Sequence, residues 1–395
     1  FSAIFRDLWS SFFCCYNRII YSNFSNIFLL QENKQKSFLL KNLVIIQTAV
    51  PDYRKGFFNA IENALDQHFE LYGGDFYFEN SVKSDHTILK KRIRNHFIFN
   101  YKLLFQTGIW HLLFKDVILV LEMNPRILSN WVFLIIRKII NRKTVLWGHA
   151  WPRQGVFSKS DNLRNLMRLL ANKIIVYTRQ QQHELKTKMP KKIILAAPNA
   201  VLSASKMEFS MSDNKFNIIY VGRLTKLKKP LFLVKSFASE IHKYPHETKL
   251  IIIGEGEEKN IIKNYIAKKK LSKRIKLLGH ISDYEKLKEL YFTSFFSVSP
   301  GYVGLSITQS FGFGVPMLVS REENHSPEIE ALNLNENGLF FETNNEDNFN
   351  QVLLNAFKER EMWNDKGIQI VKFCQKNYST ESMAETFIKL AKNES

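Results

Sequence analysis

Short apolar runs recur along the chain, and each is closed by glycine, proline or a polar residue. Runs that are apolar at nearly every position predict strands buried on both faces of a parallel sheet. Between them apolar residues return at helical spacing, as at Leu233, Val234, Phe237 and Ile241. This alternation predicts an α/β fold. The predicted strands are Leu43–Ala49, Val117–Leu121, Lys143–Trp147, Lys173–Tyr177, Ile193–Ala197, Phe216–Val221, Lys249–Gly254, Ile275–Leu278 and Phe295–Ser299.

The turn after one of these strands concentrates positive charge. Gly222 closes the strand, and Pro230 stands where the first turn of a helix would begin, a position that proline tolerates. A helix N-terminus at the carboxyl end of a parallel strand favours an anion, so the turn predicts a phosphate site. A solvated basic turn is the alternative. The cations between the two elements are Arg223, Lys226, Lys228 and Lys229.

The stretches that follow strengthen the phosphate interpretation. A Gly-Glu-Gly turn begins at Gly254, Gly279-His280 follows the next strand, and the glycine-rich segment GYVGLSITQSFGFGVPMLVS runs from Gly301 to Ser320. This succession resembles the donor-binding half of glycosyltransferase family 4. The resemblance is close over the second half of the chain and loose over the first. It implies the GT-B architecture, an α/β fold of two Rossmann-like domains facing across a cleft.

The resemblance also implies roles for individual residues. In that family an arginine after the first strand of the second domain, and a lysine five residues later, grip the donor diphosphate; the matching positions are Arg223 and Lys228. No Asp-x-Asp metal motif stands where a metal-dependent transferase needs one, so we expect no metal and no cofactor beyond the nucleotide-sugar co-substrate. The donor-binding positions implied are Gly222, Gly254, Gly279, His280, Gly301, Gly304, Leu305, Gln309 and Glu328.

One departure from the family pattern affects the donor site. The family usually carries two glutamates spaced E-x7-E, and the matching positions here are Gly301 and Gln309. Gln309 can still hydrogen-bond a ribose through its amide, whereas Gly301 offers only backbone. A branch of the family common among surface-polysaccharide transferases looks similar, with Pro-Gly-x-Val-Gly-Leu first and a Pro-Glu downstream, here Pro327-Glu328. The departure from the family pattern affects the identity of the donor more than the activity. The alternative that the chain is an inactive descendant of the family stays open.

The first half supplies the acceptor-side candidates. Tyr53 and Arg54 begin a helix after the first strand and resemble the Pro-x-Tyr-Arg start of the same branch, with a surface salt bridge as the alternative for Arg54. His149 follows a buried strand and matches a family histidine that contacts the transferred sugar; a structural histidine is the alternative. We expect His149 and Gln309 to face one another across the cleft.

Two stretches of the first half have less distinctive patterns. Phe69–Phe78 is a candidate strand pair around Gly73-Gly74. The cations between Lys83 and Arg94, followed by aromatic residues, suit either lipid head groups or a solvated helix face.

The expected organisation follows from these elements. Residues 1–42 form an N-terminal extension, favoured as a stretch outside the domain, with a membrane-contacting prefix as the alternative. An acceptor-side Rossmann-like domain spans 43–201, a linker 202–214, and a nucleotide-sugar-binding Rossmann-like domain 215–378. Helices are expected near 346–359, 361–376 and 380–393. A C-terminal helix within 379–395 is expected to pack back on the first domain.

Charge is uneven along the chain. Residues 1–210 hold 30 Lys and Arg against 14 Asp and Glu, a net charge of +16, whereas the remainder holds 26 against 23, or +3. No zinc-finger spacing or RNA-binding aromatic strand accompanies this charge, so an anionic membrane surface is the expected partner rather than nucleic acid. The three cysteines form no CxxC pair, which suits a reducing compartment. We therefore expect a cytoplasmic protein that is peripheral on the inner face of the membrane.

The family resemblance, together with these features, implies a retaining, metal-independent glycosyltransferase of the hexosyltransferase class. The expected acceptor is a hydroxyl of a glycan, lipid-linked or free, in bacterial surface polysaccharide synthesis such as O-antigen or exopolysaccharide. Two alternatives stay open: a nucleotide-sugar epimerase of the same fold, and a non-catalytic basic protein that binds membrane or nucleic acid and keeps a degenerate site.

Overall fold

A computed structural model describes residues 40–78, 84–152, 155, 158–212 and 214–394. The predicted N-terminal extension therefore lies almost wholly outside the described residues, as does Lys83. Strands in the first half are β1 (Leu43–Gln47), β2 (Phe69–Gly73), β3 (Lys91–Arg92), β4 (Arg94–Ile98), β5 (Leu103–Thr107), β6 (Ile118–Glu122), β7 (Thr144–Trp147), β8 (Lys173–Val176) and β9 (Ile193–Ala196). Its α-helices are α1 (Lys55–Leu65), α2 (Leu128–Ile139), α3 (Asp161–Leu170) and α4 (Arg179–Lys188).

The first half forms a seven-stranded sheet, which we call the first domain. Its strand order is β3-β2-β1-β6-β7-β8-β9, and every pairing is parallel. Strands β4 and β5 form a separate antiparallel hairpin. Because successive strands are added first on one side of β1 and then on the other, the crevice between the carboxyl ends of β1 and β6 is a topological switch point, where open α/β sheets bind ligands.

The second half forms a six-stranded parallel sheet, the second domain, in the order β12-β11-β10-β13-β14-β15. Its switch point lies between β10 and β13. The strands are β10 (Asn217–Val221), β11 (Leu250–Ile253), β12 (Ile275–Gly279), β13 (Ser294–Ser299), β14 (Met317–Ser320) and β15 (Gly338–Phe341). The helices are α5 (Pro230–Ser239), α6 (Lys259–Lys268), α7 (Tyr284–Phe292), α8 (Ser306–Gly312), α9 (Glu346–Lys358), α10 (Arg360–Asp365), α11 (Gly367–Tyr378) and α12 (Thr380–Ala391).

Both sheets bury their central strands, which is why those strands read as unbroken apolar runs. Leu43–Ile46 in β1 and Leu250–Ile253 in β11 are buried at every position. Side chains on the two faces of each sheet join separate apolar clusters under the flanking helices. The predicted α/β fold of two Rossmann-like domains is confirmed.

Three local predictions are wrong. Phe69–Phe78 holds one strand, β2, rather than a pair around Gly73, because β2 finds parallel partners in β1 and β3. The basic stretch that ends at Arg94 is not a helix face: its described part is a 3-10 turn over His86–Ile88 followed by β3 and the start of β4. The predicted helix over 361–376 is divided between α10 and α11 at Lys366.

The segment that connects the two sheets is packed rather than loose. Leu202 and Met207 are buried and join the apolar cluster of the second domain, and Phe209 packs against the same cluster. A Cβ on Gly367 would lie 2.0 Å from the ring of Phe209, so this helix start must be glycine for the segment to pass. The connection therefore holds the second domain firmly at its first residues.

The last helix, α12, returns to the first domain. Met383, Phe387 and Leu390 are buried in the apolar cluster that also contains Phe57 of α1. The ring centroids of Phe57 and Phe387 are 5.2 Å apart, edge to face. Because α12 packs against α1, the chain crosses between the domains twice.

Candidate active site

The basic turn lies at the carboxyl end of β10. A 3-10 turn over Lys226–Lys228 follows Gly222, and α5 begins at Pro230 as the proline predicts. Arg223 is exposed, and within the described residues no hydrogen bond or ion pair engages its guanidinium. Its planar fork of donors is therefore available to an anion in the cleft.

Lys228 is the most constrained cation of this turn. Its Nζ donates to the carbonyl of Tyr302 over 3.1 Å and lies 5.2 Å from the centre of that ring. Burial, followed by repulsion from the neighbouring Arg223, lowers the pKa of Lys228 to about 8, with Glu328 opposing both effects. An ammonium that is partly dehydrated and repelled by a second cation gains most from a bound anion.

The other two lysines have different surroundings. Lys229 adopts the left-handed conformation (φ 50°) and forms an ion pair with Glu323, and its Nζ also donates to Asn344 over 2.7 Å. It is thus committed to holding the strand ends of the second domain together. Lys226 is exposed. Lys229 is therefore excluded as a phosphate ligand, whereas Arg223, Lys228 and Lys226 are not.

Two glycines let the loops around this turn approach closely. A Cβ on Gly254 (φ +149°) would lie 1.9 Å from the carbonyl oxygen of Gly222, and a Cβ on Gly301 would lie 2.3 Å from that of Leu227. Gly254 also donates from its N–H to the carbonyl of Gly279 over 2.8 Å. Gly222, Gly254 and Gly301 therefore lie around the turn that follows β10, Gly279 lies at the end of the edge strand β12, and His280 after it is exposed.

The glycine-rich loop after β13 is held by its own backbone. The N–H of Tyr302 donates to Leu227 over 2.9 Å, and that of Val303 to Nδ1 of His325 over 3.1 Å. Nε2 of His325 in turn donates to the carbonyl of Ser320 over 2.7 Å, and burial lowers the pKa of His325. These two N–H groups are therefore not free for a phosphate.

The remaining predicted donor positions lie at the start of α8. Gly304 and Leu305 precede the helix and Gln309 lies within it, all three partly exposed. A Cβ on Gly304 would meet nothing closer than 3.7 Å, so this glycine is not required by packing.

Glu328 joins the two domains. Its Oε1 accepts from Nδ2 of Asn199 over 2.6 Å, and its Oε2 accepts from Ser326. Asn199 belongs to the first domain, so this buried contact crosses the cleft. Glu328 is close enough to influence the pKa values of both Lys228 and the first-domain Tyr177. Glu328 therefore connects the basic turn with a group of first-domain residues around Arg54, Glu122 and Tyr177, which we call the wall of the first domain.

Arg54 is part of that wall rather than of a surface salt bridge. It is buried, its guanidinium lies 5.2 Å from the ring centre of Trp147 and 5.5 Å from that of Tyr177, and its Nη1 contacts the sulfur of Met383 over 3.4 Å. Tyr53 beside it is exposed. The cation is thus held between aromatic faces at the cleft side of α1.

Glu122 is a member of this wall that sequence reasoning missed. It ends β6 at the first switch point, where Oε1 accepts from the N–H of Thr48 over 2.6 Å and Oε2 from its hydroxyl over 2.8 Å. Burial raises the pKa of Glu122 to about 7, against the lowering effect of Thr48 and Arg54. A carboxylate as the last residue of a buried strand was the available signal.

His149 lies at the mouth of the same wall. It is exposed, its ring centre is 4.7 Å from that of Tyr177, and its carbonyl accepts from Nη1 of Arg164 over 2.8 Å. Burial raises the pKa of Tyr177 to about 12, with Arg54 opposing the rise and Glu122 adding to it. His149 is thus a rim residue rather than a core one. That it faces Gln309 stays a prediction.

The described residues contain no group of three or more histidine, cysteine or carboxylate side chains arranged to hold a metal ion. Within the same ranges, none of the helices has both the length and the hydropathy to span a bilayer.

Known proteins resemble the chain in both sequence and fold. Residues 204–369 match the family model described as glycosyl transferases group 1. An uncharacterized glycosyltransferase of Methanocaldococcus jannaschii is 28% identical over 53% of this chain and 55% of its own length. The alpha-monoglucosyldiacylglycerol synthase of Acholeplasma laidlawii is 26% identical over 37% of this chain and 36% of its own. The chain thus matches between about a third and half of the length of these curated relatives.

The fold comparison extends over both domains. The crystal structure of Anabaena HepE in complex with UDP superposes with a TM-score of 0.65 at 13% identity, covering 90% of this chain and all of that one. Such low identity establishes the architecture alone. The chain therefore has the GT-B fold, and its residues 204–369 are similar to the glycosyl transferases group 1 family.

Proposed function

We propose that the protein is a retaining glycosyltransferase of family 4 that moves a hexosyl group from a nucleotide-diphosphate sugar to a hydroxyl of an acceptor. The observation that carries this proposal is the pair Arg223 and Lys228. The guanidinium of Arg223 is unengaged, and the ammonium of Lys228 is partly dehydrated. Both lie at the second-domain switch point, with the glycine contacts of Gly254 and Gly301 keeping the surrounding loops close.

The chemistry demands stabilisation of the diphosphate that leaves. The bond between the anomeric carbon and the phosphate oxygen breaks, and negative charge develops on that oxygen. Arg223 offers two parallel donors and Lys228 a point charge, each contributing about 1.5–3 kcal/mol as a charge-assisted hydrogen bond. These contacts accelerate transfer to the extent that they strengthen in the transition state. Two cations at this position make a divalent metal unnecessary, so we propose metal-independent catalysis.

Donor recognition extends along the glycine-rich loop. Gln309, partly exposed on α8, is proposed to bind the ribose in place of the glutamate usual in the family. His149 is proposed to contact the transferred sugar from the first-domain rim. UDP is the nucleotide with which to begin, because the structural neighbour from Anabaena was crystallised with it.

The acceptor is proposed to be a lipid-linked glycan at an anionic membrane surface, in bacterial surface polysaccharide synthesis, with the protein peripheral on the inner face. The charge of +16 on residues 1–210 supports this. The Acholeplasma relative, named for the glucosylated diacylglycerol that it makes, supports a lipid acceptor.

The decisive experiment incubates the protein with a panel of nucleotide sugars and measures released nucleotide with and without lipid-linked acceptors. Acceptor-dependent release, with the anomeric configuration of the product determined by NMR, is the expected result. Conversion of the sugar nucleotide without any acceptor would identify an epimerase instead. Failure to bind any nucleotide would indicate a non-catalytic protein.

A further inference from the structure

Helix α3 exposes three leucines and buries two charged residues, although its Met167 is buried in the core as in an ordinary surface helix. Its leucines 163, 166 and 169 are each about half exposed, whereas Asp161 and Arg168 are 2% and 0% exposed. An amphipathic helix on a domain surface normally buries its apolar stripe and exposes its charges. The arrangement leaves leucine side chains in contact with solvent, so the contacts that hold the helix in this orientation need to be identified.

The cause is a set of polar contacts that fix the inner face of α3. Arg168 and Asp161 form a bidentate ion pair over 2.7 and 3.1 Å, and Lys188 of α4 donates to the same carboxylate over 2.7 Å. Arg168 also donates to the carbonyl of Ala150. Because an unpaired buried charge is costly, these contacts prevent the helix from rotating its leucines inward.

Further exposed apolar side chains lie on α2, the helix next to α3, and in the loop before β6. Nζ of Lys138 on α2 donates to the carbonyl of Leu169 over 2.9 Å, which joins the ends of α2 and α3. Arg137 donates to Leu112 over 2.7 Å and Val117 over 2.7 Å, which fixes the loop between them against α2. We call the exposed apolar side chains of these neighbouring elements, which are 37–77% exposed, the apolar face: Phe114, Ile135, Ile139, Ile140, Leu163, Leu166 and Leu169.

Cations border this apolar face. Lys192 donates to Ala171 over 2.6 Å beside Leu169, and burial together with repulsion from Lys138 lowers its pKa. Burial and repulsion from Lys143 likewise lower the pKa of Lys173. The carboxylate of Asp116 is paired with Arg142 over 3.1 Å. Aliphatic side chains surrounded by lysines are complementary to an acyl boundary under anionic head groups.

The apolar face also reaches the cleft. Arg164, in the first half of α3, donates to the carbonyl of His149 over 2.8 Å, so one end of the leucine stripe lies beside the rim of the candidate active site. The other end, at Leu169, meets α2. The stripe therefore runs along the first domain from α2 to the mouth of the cleft.

We propose that the apolar face docks on an anionic lipid bilayer and that α3 aligns the bilayer surface with the cleft, so that a membrane-borne acceptor enters beside His149. The entry of a membrane-borne acceptor beside His149 rests on the function proposed above. The docking of the apolar face on a bilayer does not depend on that function.

The test compares the full chain with the triple variant Leu163→Gln, Leu166→Gln, Leu169→Gln. Co-sedimentation uses phosphatidylcholine vesicles with and without phosphatidylglycerol. Wild type should prefer phosphatidylglycerol vesicles and release them in high salt, and the triple variant should bind about tenfold more weakly or worse. Ile261→Gln, at a half-exposed isoleucine of α6, is the matched control and should bind like wild type.

A second set of measurements separates docking from folding and from catalysis. The triple variant should melt like wild type, because exposed leucines contribute little to stability. Its affinity for UDP should equal that of wild type, since α3 does not touch the donor turn. If neither wild type nor the triple variant binds UDP, the proposed function is overturned. The vesicle comparison would still test whether the apolar face docks on a bilayer.

Two outcomes would overturn the docking proposal. One is wild-type vesicle binding by the triple variant. The other is a wild-type dimer that ignores vesicles and becomes monomeric in the triple variant, which would make the face a subunit interface.

Discussion

We expect the affinity for UDP to fall as the pH rises through about 8, because Lys228 then loses the proton that makes it a cation. Burial and the adjacent Arg223 set its pKa at about 8, against 10.5 for an ordinary lysine. The diphosphate binds the protonated form, so the protonated fraction of the free protein governs the apparent affinity. That fraction falls about tenfold between pH 7 and pH 9, equivalent to about 1.4 kcal/mol of binding free energy.

Calorimetric titration with UDP from pH 7 to 9 measures this effect. The window lies above the last phosphate ionisation of the nucleotide, whose pKa is about 6, and it stops before most of the uracil ring loses its N3 proton, so the diphosphate charge stays constant. Lys228→Arg should flatten the dependence, because a guanidinium keeps its proton throughout. Lys226→Ala, an exposed lysine of the same turn, should leave the dependence unchanged. An affinity that is constant in the wild type, or that still falls in Lys228→Arg, would refute the reasoning.

The titration of Lys228 does not itself destabilise the fold over this range. Because the folded pKa of Lys228 lies below the unfolded one, the unfolded chain holds the proton more tightly between pH 8 and 10.5. The contribution of Lys228 to the free energy of unfolding therefore increases with pH across that window. Melting temperatures recorded at each pH would verify that the protein stays folded during the titration.

Four further outcomes are expected. Arg223→Ala should lower turnover at least about tenfold without changing the melting temperature, and Arg223→Lys should also be poor because the fork is lost; wild-type rates in both would remove the phosphate-site argument. His149→Ala should reduce turnover more than nucleotide affinity, whereas Gln309→Ala should weaken donor binding and Gln309→Glu should be tolerated; steady-state kinetics paired with UDP titration separates these patterns. The folded pKa of Glu122 is about 7, above the ordinary 4.5, so this group contributes stability at low pH that is lost as the pH rises through 7. The melting temperature of Glu122→Gln should therefore decline less than that of wild type between pH 5 and 8. Activity should survive EDTA; a rate that collapses and returns with Mn²⁺ would contradict metal-independent transfer.

The fold could be predicted from the sequence because local patterns of residues encode it. Apolar runs such as that of β10, each followed by a glycine and a helix, give the strand–loop–helix repeat without any knowledge of long-range pairing. The basic turn with Arg223 and Lys228 was readable for the same reason, since both residues lie within a few positions of the strand end.

Features that depend on long-range pairing were not readable. The bond between Glu122 and Thr48 joins residues 74 positions apart, and it exists because β1 and β6 are neighbours in the sheet. Lys229 looked like a phosphate ligand until Glu323, 94 positions away, was found against it. In α3 the buried pair of Asp161 and Arg168 overrides the helical leucine pattern, which by itself would indicate a buried stripe.

The return of α12 to the first domain has a consequence for how the chain is made. Phe387 and its neighbours complete the interior of a domain whose other residues leave the ribosome far earlier, whereas the second-domain clusters draw on nothing beyond Tyr378. Nascent domains ordinarily mature in the order of their synthesis. Here the first domain keeps part of its apolar interior exposed until α12 has been synthesised. The second domain, although it is translated later, can complete its packing before the first.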